Sequence, residues 1–181
     1  WIKNFKEEDK KIIFWDIGAN IGLYSIYAAK SHKNIEVISF EPSTNNLRIL
    51  TRNIFVNKLN KKIKIFQLPL GSDSNKFANF SESIFIEGAS HNSFDYNLNF
   101  EGKSFLVDNE YQIFGTSIAS ILDQGILNLP DYIKIDVDGI EHLILIGAGK
   151  YLKESKIKSI QIEVNENYKQ QFNSIIDFMK E

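Results

Sequence analysis

The chain has 181 residues, 43% of them hydrophobic, and a formal net charge of -2. That is enough for one sizeable core and short for two domains. Its lysines form no basic stripe, which argues against nucleic acid as a partner, and no apolar run or leader-like start points to a membrane. The lack of cysteine removes disulfides, thiolate zinc sites and cysteine nucleophiles, and fits a reducing cytoplasm. Trp1 stands where an initiator methionine would, as in an excised or trimmed piece.

Taken in order, residues 11–16 are predicted as a first strand, 21–31 as a helix, 35–40 as a second strand and 43–57 as a helix with Leu47, Leu50 and Ile54 on one face. Residues 62–68 form a third strand. This alternation predicts βαβ units and a doubly wound, mainly parallel α/β sheet. From Gly71 to Gly115 the pattern breaks into short alternating runs, among them 83–87 and 111–114, with recurring aromatics. These predict hairpins or a lid inserted at about 72–115 in a single domain of residues 1–181. Regularity returns with a helix at 117–123, a strand at 132–137, a helix at 139–152, a strand at 157–164 and a helix at 168–180.

The first strand ends in Asp16 and turns through Gly18 and Gly22 into a helix, a pattern of nucleotide-type cofactor sites. In a dinucleotide site such a turn receives a pyrophosphate, and a carboxylate about 5 Å from one phosphate charge would cost roughly 3 kcal/mol at an effective dielectric near 20. The sign reverses for S-adenosylmethionine, whose methionyl ammonium and sulfonium are cationic. The spacing also lacks the third glycine of G-x-G-x-x-G, and no P-loop lysine follows, which disfavours a nicotinamide-dependent oxidoreductase. Asn20, between the glycines, belongs to the cofactor turn and reads locally as the N-cap of the next helix. Glu41 lies about twenty residues beyond the glycines, where a ribose-binding carboxylate sits in doubly wound folds.

These motifs carry a resemblance. Asp16-Ile-Gly-Ala-Asn-Ile-Gly22, Phe40-Glu-Pro42, Leu68-Pro-Leu-Gly-Ser72, Ile133-Lys-Ile-Asp-Val-Asp-Gly-Ile-Glu141 and Gly147-Ala148 run in order across nearly the whole chain, which resembles an FkbM-family methyltransferase. The resemblance implies a Rossmann-like class I methyltransferase fold, S-adenosyl-L-methionine as methyl donor, and O-methylation of a small-molecule or glycan hydroxyl. Where the family usually has Glu, this chain has Asp138. Related sheets finish with an antiparallel hairpin, which this chain lacks after its last helix. A third expectation, a partner module that keeps the fold without turnover, stays open on that ground.

Asp16, Glu41, Asp136 and Glu163 each fall at or near the carboxyl end of a predicted strand, the rim where ligands bind in open α/β sheets. Asp16 is assigned to the methionyl end, through its amine or ordered water, Glu41 to the ribose hydroxyls, and Gly71 with Ser72 to the adenine edge. Asp136, Asp138, Glu141 and Glu163 form the acceptor-side group, as base, ligands of a metal that activates the oxygen, or orienting acids. Asp138 and Glu141 also spell a capping box for the following helix. No His/Asp/Glu spacing is diagnostic of a metal. His91, in the lid, reads as a loop histidine that could serve as base, while His32 and His142 are assigned no catalysis.

Overall fold

The computed structural model describes residues 1–6 and 10–180. In chain order its elements are β1 (Ile12–Ile17), α1 (Leu23–Ser31), β2 (Ile35–Phe40), α2 (Thr44–Val56), β3 (Ile63–Phe66), β4 (Lys76–Glu82), β5 (Asn92–Phe94), β6 (Asn109–Gly115), α3 (Ile118–Asp123), β7 (Tyr132–Ile135), α4 (Glu141–Ala148), β8 (Ser159–Ile162) and α5 (Lys169–Lys180). The main sheet runs β3-β2-β1-β7-β8 with every pairing parallel. The predicted doubly wound, parallel α/β architecture is therefore present. Among the described residues no strand pairs with the outer edge of β8.

Alternation along β1 sorts its side chains to two faces. Ile12 and Phe14 pack with Ala28 and Ala29 of α1 and Leu50 and Ile54 of α2. Trp15 and Ile17 pack with Ile118 and Ile121 of α3, Ile144 and Leu145 of α4, and Ile175 of α5. Helices thus cover both faces, as a parallel sheet requires to bury its strands. Asp16 falls on the α1 face, and the parallel register sets it beside Ser39 of β2 and Lys134 of β7 in one row. That row decides where its carboxylate goes.

The segment predicted as hairpins or a lid holds a second, antiparallel sheet of order β5-β4-β6. Its inner face, Ala78, Phe80 and Phe94, packs on Ile140. Two polar anchors fix it to the start of α2: Ser43 Oγ donates to buried Glu82 at 2.6 Å, and Tyr111 donates to the Pro42 carbonyl at 3.1 Å. Residues 83–87 are loop rather than strand, and Ile84, Phe85 and Ile86 point to solvent.

Two helix ends differ from expectation. Helix α1 begins at Leu23 with Gly22 as N-cap, at φ 89°, so Asn20 does not cap it. Helix α4 stops at Ala148 because Gly149 takes φ 51°, and a 3-10 turn at Gly149–Lys153 replaces its expected last turn.

Candidate active site at the carboxyl rim

The carboxyl ends of β1, β2 and β7 and the inner face of the small sheet enclose a cleft of about 190 Å³. Gly18, Asn20, Glu41, Asp136 and Asp138 line it, as do Asn46, Leu68–Leu70, Phe80, Asn92 and Phe94. Its walls are apolar and its polar groups few, the usual make-up of a small-molecule site.

The glycine turn forms the floor. Gly18 sits at φ 77°, and a Cβ there would lie 1.8 Å from the Asp136 carbonyl oxygen, so only glycine lets β1 meet the end of β7 this closely. Gly22 serves packing instead. Its missing side chain admits Leu50 of α2, whose Cδ1 would be 2.5 Å from a Cβ, and it does not line the cleft. Asn20, at φ 49°, donates its backbone N–H to Glu41 Oε2 at 2.7 Å. Its side-chain amide donates to the carbonyls of Gly88 and Ala89 at 3.3 and 3.2 Å. Its Oδ1 is then a buried acceptor with no partner.

Glu41, 4% exposed, follows the last residue of β2. Besides Asn20 it accepts from Ser43 N at 2.9 Å and from Asn46 Nδ2 at 3.5 Å. Burial pushes its carboxyl up to about 7, against those hydrogen bonds. A carboxylate offers about four lone-pair sites, so Glu41 keeps acceptor capacity toward the cleft.

Asp16 is placed differently from its neighbours. Its face of β1 looks onto α1, and its carboxylate, 0% exposed, accepts from Ser25 Oγ at 2.5 Å, with Ser39 Oγ 2.7 Å beyond. Lys134 Nζ stands 3.5 Å from Asp16 Oδ1, at ion-pair rather than hydrogen-bond range, and 2.9 Å from Asp136 Oδ2. Asp16 is therefore absent from the cleft lining and backs the glycine turn from inside the fold.

The four acceptor-side acids separate. Asp136 lines the cleft with its side chain 39% exposed. Glu163, exposed at the end of β8, lies near Asp136; partial burial, then Asp136 and the other surrounding acids, push it up to about 7. Asp138, at φ 63°, does not cap α4, whose N-cap is Ile140. Its Oδ2 instead accepts from His91 N in the overlying loop at 2.7 Å, and burial raises its carboxyl. Glu141, 1% exposed, turns back to accept from Val137 N and Gly139 N at 3.0 Å each and from Gln171 Nε2 at 2.5 Å. Its contacts are those of a residue that shapes the 136–141 turn, and it does not line the cleft.

Gly71 and Ser72 also lie off the cleft: the Gly71 N–H bonds to Thr116 O at 2.9 Å, and Leu68, Pro69 and Leu70 form the wall in their place. His91 is exposed and stacks on Phe100, ring centroids 5.3 Å apart. Among the described residues no three His, Asp or Glu are arranged to hold a metal ion, and no helix is long and apolar enough to cross a membrane.

Three side chains escape the sequence reading. Lys134 is a lysine inside an apolar strand, Asn46 a polar residue on the buried face of α2 with Leu50 and Ile54, and Asn92 a strand residue whose Oδ1 is buried in the cleft without a partner. The first two violate the hydrophobic pattern of their elements and could have been found that way. Asn92 could not, because a short strand of the small sheet brings it in from a distance.

The family model for the methyltransferase FkbM domain matches residues 16–181, covering each motif quoted above. Methyltransferase sdnD of Sordaria araneosa is 34% identical over 59 residues, which are 33% of this chain and 23% of that protein. The fold is similar to an FkbM methyltransferase from Methylobacillus flagellatus KT, with TM-score 0.60, 18% identity and coverage of 97% of this chain and 38% of the other. It is also similar to a precorrin-6y C5,15-methyltransferase from Geobacter metallireducens GS-15, with TM-score 0.55, 14% identity and coverage of 98% and 66%. The chain thus spans less than two thirds of each of these relatives.

Proposed function

The chain belongs to the FkbM methyltransferase family, and from that premise we propose that it transfers a methyl group from S-adenosylmethionine to a hydroxyl of a small molecule or glycan. The observation that carries the donor is the ring of acceptors around the cleft. Asn20 Oδ1 and Asn92 Oδ1 are buried without partners, and Glu41 has a lone-pair site to spare. Buried polar atoms are rarely left unpaired, and acceptors are satisfied by a ligand rich in donors and positive charge. A pyrophosphate would add further acceptors.

In this reading Glu41 takes the ribose hydroxyls, Asn20 and Asn92 the methionyl amine, and Gly18 lets the backbone approach. Asp16 and Gly22 hold the turn in shape from behind, and Gly71 with Ser72 hold the chain that presents Leu68–Leu70 to the adenine. When bound, the donor supplies an electrophilic methyl on a cationic sulfur. The chain would orient the acceptor hydroxyl above Asp136, whose carboxylate would take the hydroxyl proton as the O–C bond forms and the S–C bond breaks, leaving the donor as a neutral thioether. Glu163 lies beside Asp136 to share that proton, and Asp138 positions the overlying loop. The hydroxyl as acceptor rests on the family resemblance.

Glu41 gives the test. Its value near 7 in the folded chain stands above the ordinary 4.5, so the folded state holds the proton across that window. Its contribution to stability is greatest below 4.5 and falls as pH rises toward 7. Donor binding to the carboxylate must displace that proton, so affinity is expected to rise as pH climbs through about 7. Glu41→Gln should abolish the pH dependence and, at pH 8, weaken binding by about 1.5–3 kcal/mol, the usual size of a hydrogen bond to a charged group. Calorimetry across pH reads both. Equal affinity and an equal pH profile in the two proteins would take Glu41 out of the site.

A further inference from the structure

We propose that Lys134 is a positioning residue for methyl transfer: it ties the donor-side turn to the acceptor-side acid and holds Asp136 aimed into the cleft. This rests on the methyl-transfer reading. Lys134 lies between Ile133 and Ile135 in the apolar strand β7 and is 3% exposed. An ammonium buried there must be paired to be tolerated. Its Nζ is 2.9 Å from Asp136 Oδ2, 3.5 Å from Asp16 Oδ1 and 4.6 Å from the centre of the Tyr24 ring. The two acids come from different motifs, one beneath the glycine turn and one on the cleft wall. The backbone joins the same two places, because Gly18 packs directly on the Asp136 carbonyl.

Lys134 is absent from the cleft lining, so it acts through Asp136 and not on a ligand. Burial works to lower its pKa, but Asp16 and Asp136 outweigh that and raise it; it is a fixed cation and not a base. The groups facing Asp136 from the other elements are acids: Asp16 on β1, Asp138 after β7, and Glu163 after β8, with Glu141 behind the turn. Tyr24 of α1 reaches the set through Lys134. Without the ammonium this cluster of like charge has to take up a proton or spread apart, and either change disturbs the Asp136 carboxylate.

Lys134→Met and Lys134→Arg are compared with the wild-type chain by two readouts. The first, carboxyl NMR titration, needs neither donor nor acceptor. Glu163, beside Asp136, is pushed up to about 7 by partial burial and the surrounding acids. In Lys134→Met, Glu163 is expected to hold its proton to higher pH by about one pH unit, the size expected when a nearby cation is lost from a cluster of acids. Arg should restore it. The second readout is transfer with wild type as control: Lys134→Met lowers kcat by about tenfold to a hundredfold, short of losing a base outright, with the pH optimum displaced upward and donor Kd within a few-fold.

Should Lys134→Met fail to fold, Asp16→Asn/Lys134→Met, which strands one charge fewer, carries the same titration. A Glu163 that titrates as in wild type after Lys134→Met overturns the proposal, and so does a kcat loss that Arg leaves unrepaired. If wild type transfers no methyl to any acceptor, the proposed function falls, while the titration still decides whether Lys134 governs Asp136.

Discussion

Asp136→Asn is expected to lower methyl transfer roughly a hundred- to ten-thousand-fold, the range of general acid–base catalysis, while donor affinity stays within a few-fold. The asymmetry follows from position. Asp136 lines the cleft at the end of β7, but the acceptors proposed to meet the donor come from Asn20, Glu41 and Asn92. Asparagine keeps the shape and loses the charge proposed to take the hydroxyl proton, and it also loses the ion pair to Lys134. A steady-state assay with labelled donor, beside calorimetry on the same variant, separates kcat from binding. Turnover within a few-fold of wild type would make Asp136 structural. Wild-type turnover is expected to be indifferent to EDTA, since a carboxylate base needs no metal.

Gly18→Ala should fail more broadly. The φ of 77° alone costs a residue with a Cβ about 1–3 kcal/mol, and the added carbon would sit 1.8 Å from the Asp136 carbonyl oxygen. That neighbour is backbone at the end of a buried strand, so relief requires β1 and β7 to part at the point where they form the cleft floor. Denaturant unfolding should show a loss of about 3 kcal/mol or more, and the folded fraction should bind donor poorly. Gly125→Ala is the control, since its φ of 65° is similar but a Cβ there meets nothing within 4 Å. Equal losses in the two variants would assign the effect at Gly18 to φ alone and leave the close approach without weight.

Much of this architecture follows from local pattern. The alternation of apolar runs and amphipathic helices foretold all five strands of the parallel sheet, and the ends of those strands placed Glu41 and Asp136 on one rim. What local pattern missed came from the third dimension. Asp16 looks like a cofactor acid by its place before the glycines, yet strand parity puts it with Ile12 and Phe14 on the α1 face, where Ser25 and Lys134 take its charge. Parity was available in the sequence, but its partners were not. Asp138 and Glu141 have the spacing of a capping box. Asp138 takes a positive φ and reaches the small sheet's loop, and Glu141 alone closes the turn. Gly71 and Ser72 missed the cleft because the chain bends toward Thr116 after Leu70. The antiparallel β5-β4-β6 sheet was expected only as hairpins or a lid, since its strands are short and its pairings long-range.

Whether the cleft takes a cationic, ribose-bearing methyl donor is tested most directly by calorimetric titration of the whole chain with S-adenosylmethionine, S-adenosylhomocysteine and, separately, NADH. The predicted result is one site that binds both of the first two ligands, with no heat of binding from NADH. Saturable binding of NADH with none of S-adenosylmethionine would contradict it.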